Sequence, residues 1–171
     1  MPLPGKPFIS EVRVRKRVRE MARDLAKFYR GKKLTVIGLM NGSLFFMTDL
    51  VRHLPPETKI ECWKVSGYRG KNPAKRLIGP VGCEGDYRGR HVLLLDDILD
   101  TGRTLRNARQ KLLRTGATDV RICVLLAKNI PRKYDITADI VGFNIENRFV
   151  IGYGLDYNNL YRTLPMIRVL D

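Results

Sequence analysis

The chain has 171 residues, a length typical of one domain, and 44% of them are hydrophobic, which is enough for a sizeable core. It contains no apolar run near the roughly 20 residues that span a bilayer, and it starts without the apolar segment of a signal peptide. Cys62, Cys83 and Cys123 are odd in number and never occur in CxxC spacing, which argues against a disulfide framework or a zinc site and predicts a cytoplasmic protein.

The net charge is strongly positive, because the chain has 32 Lys and Arg residues and 17 Asp and Glu residues, which gives a formal charge of +15. A field of this sign attracts anions such as nucleic acid, acidic membranes or phosphorylated small molecules. Charge alone does not choose among these partners.

Helix and strand signals alternate from the start of the chain. Ser10 is a suitable N-cap for a helix over residues 11–30, in which apolar residues recur every three or four positions. The rest of that helix is rich in Arg and Lys, which is typical of a solvated face, with a nucleic-acid or membrane contact as the alternative. The next expected elements are a buried strand at 34–40, a turn at 41–43, a helix over 44–53 and a strand at 59–65.

Residues 67–89 are rich in Gly, Pro and basic residues and show little periodicity, so we expect a long loop that serves as a lid or is disordered. The elements expected beyond it are a strand at 91–95, a helix over 104–115, a strand at 120–127, short strands at 140–143 and 149–152, and a candidate strand at 166–170 to close the sheet.

Strands that alternate with helices predict an α/β fold with a parallel sheet. Continuous apolar runs such as VLLL (92–95) indicate strands buried on both faces. Ligands of such sheets bind beyond the carboxyl ends of the strands. Asn41, Asp96 and Lys128 all fall at such ends, so we expect one crevice to receive all three side chains.

The segment VLLLDDILDTGRTL (92–105) joins an acid cluster to a small polar loop. Gly102 lets the backbone approach an anion, Thr101 and Thr104 offer hydroxyls, and the following helix presents free N–H groups, which together form a phosphate cradle. Neither GxxxxGK[ST] nor GxGxxG occurs in the chain. Paired carboxylates accept hydrogen bonds from vicinal hydroxyls or share a divalent metal. The segment predicts a ribose-phosphate site, and a polar strand end with a helix cap is the simpler alternative.

This segment resembles the phosphoribosyl-pyrophosphate (PRPP) signature of type I phosphoribosyltransferases. LMNGSLFFMTDL resembles the pyrophosphate loop and helix of hypoxanthine-guanine phosphoribosyltransferases, and LLAKNIPRKYDITADIVGFNIENRFVIGYGLDYNNLYRTLP resembles their purine-binding stretch. The resemblance implies a single domain over 1–171 with the type I phosphoribosyltransferase fold, a parallel sheet flanked by helices with a small hood and a flexible lid loop. It also implies Mg²⁺-dependent purine salvage, in which phosphoribose passes from PRPP to hypoxanthine or guanine, and a homodimer or homotetramer.

The resemblance assigns the acids and the phosphate groups as follows. Asp96 and Asp97 would accept the ribose hydroxyls, Asp100 would be the general base near the purine, and Asp156 would join the Asp96–Asp97 pair in holding Mg²⁺. The remaining PRPP contacts would come from Asp100, Thr101, Gly102, Arg103 and Thr104 around the 5′-phosphate, and from Asn41, Gly42 and Arg162 around the pyrophosphate, with an unusual cis peptide after Met40.

On the purine side, the resemblance assigns Lys128 as donor to the 6-oxo group, Phe149 as the stacking ring and the backbone of Val150 as partner of the ring edge, with Asp156 nearby. Gly67 and Tyr68 would begin the lid. In isolation each residue also has an ordinary interpretation. Lys128 could be a snorkelling lysine and Phe149 a core aromatic, while Arg162 could form a surface ion pair and Asp156 could be a turn residue.

Three positions depart from the family pattern. Asp96 stands where Glu is usual, Asn41 where Lys or Arg is more common, and Gly67 where the lid usually has Ser. These changes bear on rate and affinity more than on reaction class. Two alternatives stay open: a nucleic-acid-binding regulator on the same scaffold, which is not favoured, and a related transferase that uses xanthine.

Overall fold

The computed structural model describes residues 3–65, 77–80, 85–132 and 134–170. The proposed lid residues Gly67 and Tyr68 lie outside this part of the chain. Among the helices of the described residues, none is long and apolar enough to cross a membrane. The elements in chain order are β1 (Lys6–Ile9), α1 (Glu11–Phe28), β2 (Leu34–Met40), α2 (Leu44–Val51), β3 (Lys59–Val65), β4 (Leu77–Pro80), β5 (His91–Leu99), α3 (Arg103–Arg114), β6 (Asp119–Lys128), β7 (Ile140–Ile145), β8 (Val150–Ile151) and β9 (Ile167–Val169).

The main sheet has six strands in the order β4-β3-β2-β5-β6-β7. All neighbouring pairs are parallel except β3 with β4, so the predicted α/β fold with a parallel sheet is confirmed. Gly38 of β2 pairs with Leu95 of β5, and Leu99 of β5 pairs with Ala127 of β6. This register places the carboxyl ends of the central strands along one edge of the sheet.

Two helix layers cover the two faces of this sheet, which explains the apolar run of β5. Leu93 and Leu95 pack into the core beneath α1 and α2, whereas Val92 and Leu94 pack into the core beneath α3. Successive residues of a strand point to opposite faces, so a strand buried on both sides needs an apolar residue at every position. Ser10 caps α1 as predicted and accepts a hydrogen bond from the backbone of Arg13 at 3.4 Å.

A second, three-stranded sheet has the order β1-β9-β8 and is antiparallel. Val169 of β9 pairs with Lys6 of β1 on one side and with Val150 of β8 on the other. We use the name hood for β1, β8, β9 and residues 152–166, which connect β8 to β9. The hood therefore joins residues from both ends of the chain.

Three sequence-based expectations were wrong. The candidate strand 166–170 does not close the main sheet, because β9 pairs with β1 and β8 instead. Strand β4 lies inside the region 67–89 that we expected to be a loop, where it pairs antiparallel with β3. Strand β5 continues past residue 95, because its ladder with β6 extends to Leu99, so Asp96 and Asp97 are strand residues. The short strand β1 had no sequence signal.

Candidate active site

The acid pair lies near the carboxyl end of β5, at the centre of the main sheet. One carboxylate oxygen of Asp96 accepts a hydrogen bond from the backbone N–H of Asp97 at 3.1 Å. The Oδ1 atom of Asp97 accepts one from the backbone of Ile98 at 2.8 Å. Both acids are half-buried. Local backbone donors therefore orient the two carboxylates that sequence analysis assigned to the ribose hydroxyls.

The predicted phosphate loop follows β5 directly and leads into α3. Gly102 is the N-cap of α3 with φ +80°, and a Cβ at this position would collide with the side chain of Ile136. Both constraints favour glycine. The first turn of α3 contains no acidic residue, so the positive end of the helix dipole is not neutralised from within the helix. Thr101 and Arg103 are exposed beside it and Thr104 is half-buried, an arrangement suited to an anion.

The predicted pyrophosphate loop follows β2 and rests against the acid pair. The Met40–Asn41 peptide bond is cis, as the resemblance implied. Asn41 is exposed, and a Cβ on Gly42 would collide with the carboxylate of Asp97. The Ser43 hydroxyl donates to the carbonyl of Leu39 at 2.8 Å and fixes the turn. The absence of a side chain at Gly42 thus allows this loop to approach β5 closely.

The hood lies against the pyrophosphate loop where Gly154 meets Gly42. Gly154 has φ +102°, and a Cβ there would collide with the carbonyl oxygen of Gly42. Arg162 donates from Nη1 to the carbonyl of Gly154 at 2.6 Å, and its own carbonyl accepts from the Gly154 N–H at 2.9 Å. The Nη2 atom of Arg162 lies 2.7 Å from Oδ1 of Asp156. Arg162 and Asp156 are therefore held on the segment that lies against Gly42.

Tyr153 connects the same segment of the hood to α2. Its hydroxyl donates to Oδ2 of Asp49 at 2.6 Å, and its ring is buried. Burial, together with the hydrogen bond to Asp49, raises the pKa of Tyr153 above its usual range, so the phenol stays protonated and remains a donor. Neither Tyr153 nor Asp49 was among the predicted site residues.

On the purine side, the structure brings together Lys128 and Asp100. The Nζ atom of Lys128 lies 3.1 Å from Oδ2 of Asp100 and 3.2 Å from Oδ1 of Asn147. The Lys128 side chain is only 12% exposed, whereas Asp100 is 46% exposed. Asn147 was not predicted, because nothing in its local sequence distinguishes it from an ordinary turn residue.

The predicted stacking ring lies at the surface of the hood side. Phe149 and Tyr157 are each about half exposed, and their ring centroids are 5.9 Å apart in an edge-to-face arrangement. Two adjacent exposed aromatic rings are suited to hold a flat apolar ligand. Val150 follows Phe149 in β8, so its backbone lies next to this pair. Tyr157 is a further aromatic residue that sequence analysis did not single out.

Contacts join several of the predicted residues, together with the unpredicted Gly154 and Asn147, into two groups, each of which includes a residue of the segment from β5 to α3. In the first, Asp97, Gly42, Gly154, Arg162 and Asp156 follow one another in direct contact. In the second, Asp100, Lys128 and Asn147 are in contact. These contacts connect four segments that are distant in sequence.

The carboxylates suit magnesium only together with a phosphorylated ligand. Within the described residues, no three His, Cys, Asp or Glu side chains form a group that holds a metal by itself. Mg²⁺ usually takes one or two carboxylates and completes its octahedron with substrate phosphates and water. Asp96 and Asp97, with Asp156 on the hood segment that contacts Gly42, offer hard oxygen donors of this kind.

Comparisons with known proteins agree with this geometry. A family model for the phosphoribosyl transferase domain matches residues 11–158. The chain is 38% identical to a hypoxanthine-guanine phosphoribosyltransferase of Streptococcus pneumoniae (strain ATCC BAA-255 / R6) over 166 residues, which cover 96% of this chain and 92% of the relative. It is 37% identical to a hypoxanthine-guanine-xanthine phosphoribosyltransferase of Tritrichomonas foetus over 158 residues, 92% of this chain and 86% of the relative.

A solved structure is similar to this chain in fold as well as in sequence. The crystal structure of a hypoxanthine phosphoribosyltransferase from Staphylococcus aureus superposes with a TM-score of 0.88 at 35% identity, covering 97% of this chain and 91% of that one. Sequence, fold and the arrangement of the acid pair, phosphate loop and hood agree, and the chain belongs to the phosphoribosyltransferase family.

Proposed function

We propose that this chain transfers the phosphoribosyl group of PRPP to hypoxanthine or guanine and releases pyrophosphate. The observation that carries the proposal is the contact between Lys128 and Asp100 at the end of the acid segment. It supports the proposal because an ammonium group can donate to a base carbonyl and the carboxylate beside it can accept a base proton. The names of the relatives support the same reaction and the same bases.

In the proposed reaction, a ring nitrogen of the base attacks the anomeric carbon of PRPP and the bond from that carbon to the pyrophosphate oxygen breaks. The proton that the base nitrogen loses passes to the Asp100 carboxylate, which acts as general base. Asp96 and Asp97 accept the ribose hydroxyls, and the loop of residues 100–104 holds the 5′-phosphate. Fixing the ribose between these contacts aligns the anomeric carbon with the base.

The leaving pyrophosphate collects negative charge as the bond breaks. In the proposal, Arg162 and the backbone at Asn41 and Gly42 bind it, which stabilises the transition state more than the ground state. Mg²⁺, when bound, would supply further positive charge at the pyrophosphate, and one or two carboxylates from among Asp96, Asp97 and Asp156 would hold it. The Asp156–Arg162 ion pair keeps both groups on the same side of the loop.

Selection of a 6-oxopurine follows from the chemistry of Lys128. An ammonium group has three N–H donors and no acceptor. Among the described residues, Asp100 and Asn147 occupy two of these donors, so one is left for a carbonyl oxygen. A 6-amino group has no lone pair to offer, which disfavours adenine. Phe149 would then stack on the ring, and Tyr157, which is perpendicular to Phe149, would support it edge-on.

The experiment is nucleotide formation by the purified chain with PRPP and Mg²⁺, with hypoxanthine, guanine, xanthine and adenine assayed separately. We expect turnover of hypoxanthine or guanine and none of adenine, and loss of turnover when EDTA removes Mg²⁺. Asp100→Asn lowers kcat about 10²- to 10⁴-fold. The matched control Asp135→Asn changes an exposed acid of a neighbouring loop and leaves kcat within about twofold.

Two results would count against this assignment. Turnover of xanthine alone would favour the related xanthine transferase. PRPP binding without turnover of any base would favour the regulator on the same scaffold. The proposal also includes a homodimer or homotetramer, measured by analytical ultracentrifugation, and a cytoplasmic location, measured by cell fractionation.

A further inference from the structure

The outer surface of α3 carries the most uniform positive charge of the described helices. Its 12 residues include five cations and no acid: Arg103, Arg106, Arg109, Lys111 and Arg114. Leu105, Ala108 and Leu112 are buried against the sheet, so the cations occupy the remaining circumference of the helix. None of the five forms an ion pair with an acidic group in the described part of the chain.

Helix α1 is also basic, but its positive charge is partly neutralised. Arg15 pairs with Glu11 at 2.8 Å, and Arg17 pairs with Glu20 at 3.2 Å. Arg17 also donates to two carbonyl oxygens of β7 at 2.9 Å, so it has a structural role. Two arginines of α1 thus have carboxylate partners, whereas no cation of α3 has one among the described residues, so the positive charge of α3 is the less neutralised of the two.

Helix stability does not account for the cations of α3. Lys111 and Arg114 lie in the last turn, where positive charge complements the helix dipole. Arg103 and Arg106 lie in the first turn, where positive charge opposes the dipole. Two of the cations make cation–π contacts, since the guanidinium carbon of Arg106 lies 5.7 Å from the centroid of the Tyr134 ring and Nζ of Lys111 lies 5.4 Å from that of the Trp63 ring. Neither contact neutralises charge.

From this surface we infer that the outer face of α3 binds the phosphate backbone of a nucleic-acid double helix without sequence preference. Twelve helical residues extend about 18 Å, which matches the axial length of about five base pairs. A duplex presents regularly spaced phosphates over that length, and unpaired Arg and Lys side chains are their usual partners. The inference does not depend on Arg103, which the proposed function already assigns to the 5′-phosphate; the other four cations of α3 carry it.

The other anionic partners fit this face less well. A membrane-surface helix needs a free apolar face, but the apolar face of α3 is buried in the core and Leu113 is its one large apolar side chain that is exposed. Single-stranded nucleic acid is usually held by exposed aromatic rings on which bases stack, and α3 contains no aromatic residue. A helix of cations that has no aromatic residue of its own is suited to the backbone of a duplex.

The test uses a fluorescent 20-base-pair DNA duplex of mixed sequence and the intact protein, with binding measured by anisotropy between 50 and 200 mM KCl. The variant Lys111→Gln/Arg114→Gln removes two cations from the last turn of α3. The matched control Arg23→Gln/Lys27→Gln removes two exposed cations from the end of α1, so both proteins have the same net charge. None of these residues belongs to the proposed catalytic site, and all variants should keep wild-type turnover.

We expect wild-type binding in the range of about 10⁻⁴ to 10⁻⁶ M at physiological salt. The α3 variant should bind at least about fivefold more weakly at 50 mM KCl, and its plot of log K against log salt should be shallower by about 1.8. The α1 variant should stay within about twofold of wild type. The charge-preserving variant Lys111→Arg/Arg114→Lys should bind as wild type does.

Four results would overturn the inference. Equal loss in the α1 and α3 variants would mean that net charge alone drives binding. Absence of binding at 50 mM KCl would remove the interaction altogether. Tighter binding of a 20-nucleotide single strand would indicate base stacking elsewhere on the surface. Binding to vesicles rich in phosphatidylserine without binding to the duplex would identify a membrane contact instead.

Discussion

The Nζ atom of Lys128 lies 3.1 Å from Oδ2 of Asp100, across the carboxyl ends of two neighbouring parallel strands. The two residues are 28 positions apart in sequence. Their contact places the proposed donor to the base carbonyl and the proposed acceptor of the base proton in a single ion pair. Because the lysine is mostly buried and the acid is partly exposed, a ligand would approach the pair from the side of Asp100.

Replacing Lys128 with Gln should change base binding without unfolding the protein. A hydrogen bond from a charged group contributes about 1.5–3 kcal/mol, so kcat/KM for hypoxanthine should fall about 10- to 150-fold while KM for PRPP stays near wild type. Steady-state kinetics with each substrate varied in turn measures both values. A rise in KM for PRPP of the same size would show that Lys128 acts on the phosphate side instead.

The contact between Gly154 and Gly42 should be sensitive to a single methyl group. Gly154→Ala adds a Cβ that collides with the Gly42 carbonyl, and we expect kcat/KM for PRPP to fall about 100-fold because the pyrophosphate loop is displaced. Gly31→Ala is the matched control, since Gly31 also has positive φ but a Cβ there meets nothing within 4 Å. The control should lose about 1–2 kcal/mol of stability and keep full activity.

Two buried tyrosines should make the fold sensitive to alkaline pH. Burial raises the pKa of Tyr29 and of Tyr153 above the usual range, whereas both side chains titrate near pH 10 in the unfolded chain. The unfolded chain therefore binds fewer protons than the folded one above pH 10. The free energy of unfolding is unaffected by these groups below pH 10 and falls above it, by up to about 1.4 kcal/mol per pH unit for each tyrosine.

Urea denaturation at pH 8.0, 9.5 and 10.5 tests this expectation with two variants. Tyr153→Phe should cost about 1 kcal/mol at pH 8, because it removes the hydrogen bond to Asp49, and should reduce the alkaline slope. Tyr29→Phe should reduce the slope similarly with little change at pH 8, because the Tyr29 hydroxyl has no hydrogen-bond partner among the described residues. Alkaline slopes equal to wild type in both variants would contradict the expectation.

Asn41 occupies the position where the resembled family more often has a cation. Its side chain is exposed, so Asn41→Lys should be accepted and should lower KM for PRPP about two- to tenfold, a gain of about 0.4–1.4 kcal/mol that weakens at high salt. Thr118→Lys adds the same charge at the opposite end of the sheet, beside the start of β6. If both variants lower KM equally, long-range attraction of the anionic substrate is the cause.

The central part of the fold could be predicted from sequence because its signals are local. The apolar runs of β2, β5 and β6 and the helical spacing of Val14 and Val18 require only knowledge of which faces are buried. Strands near β8 and β9 were predicted, but β1 and the pairing of the three hood strands were not. These strands are two to four residues long, and the pairing of Lys6 with Val169 is a contact between distant parts of the chain.

The candidate site shows the same division between local and distant information. Gly102 could be identified because a helix start after an acid cluster is a local pattern. The hydrogen bond from Tyr153 to Asp49 joins residues 104 positions apart, and the sequence around each gives no indication of the other. Asn147 likewise becomes notable only through its contact with Lys128.

Strand β9 is the last of the described strands to be synthesised, yet it lies between β1 and β8 and pairs with both. A growing polypeptide that has reached residue 160 already contains every strand of the main sheet, including Asp96 and Asp97. It still lacks the strand that joins β8 to β1 and so supports Gly154 over Gly42. A nascent chain can therefore form the contact between Gly42 and Asp97 before β9 exists, and the hood that holds Gly154 over Gly42 is complete only after residue 169 has been synthesised.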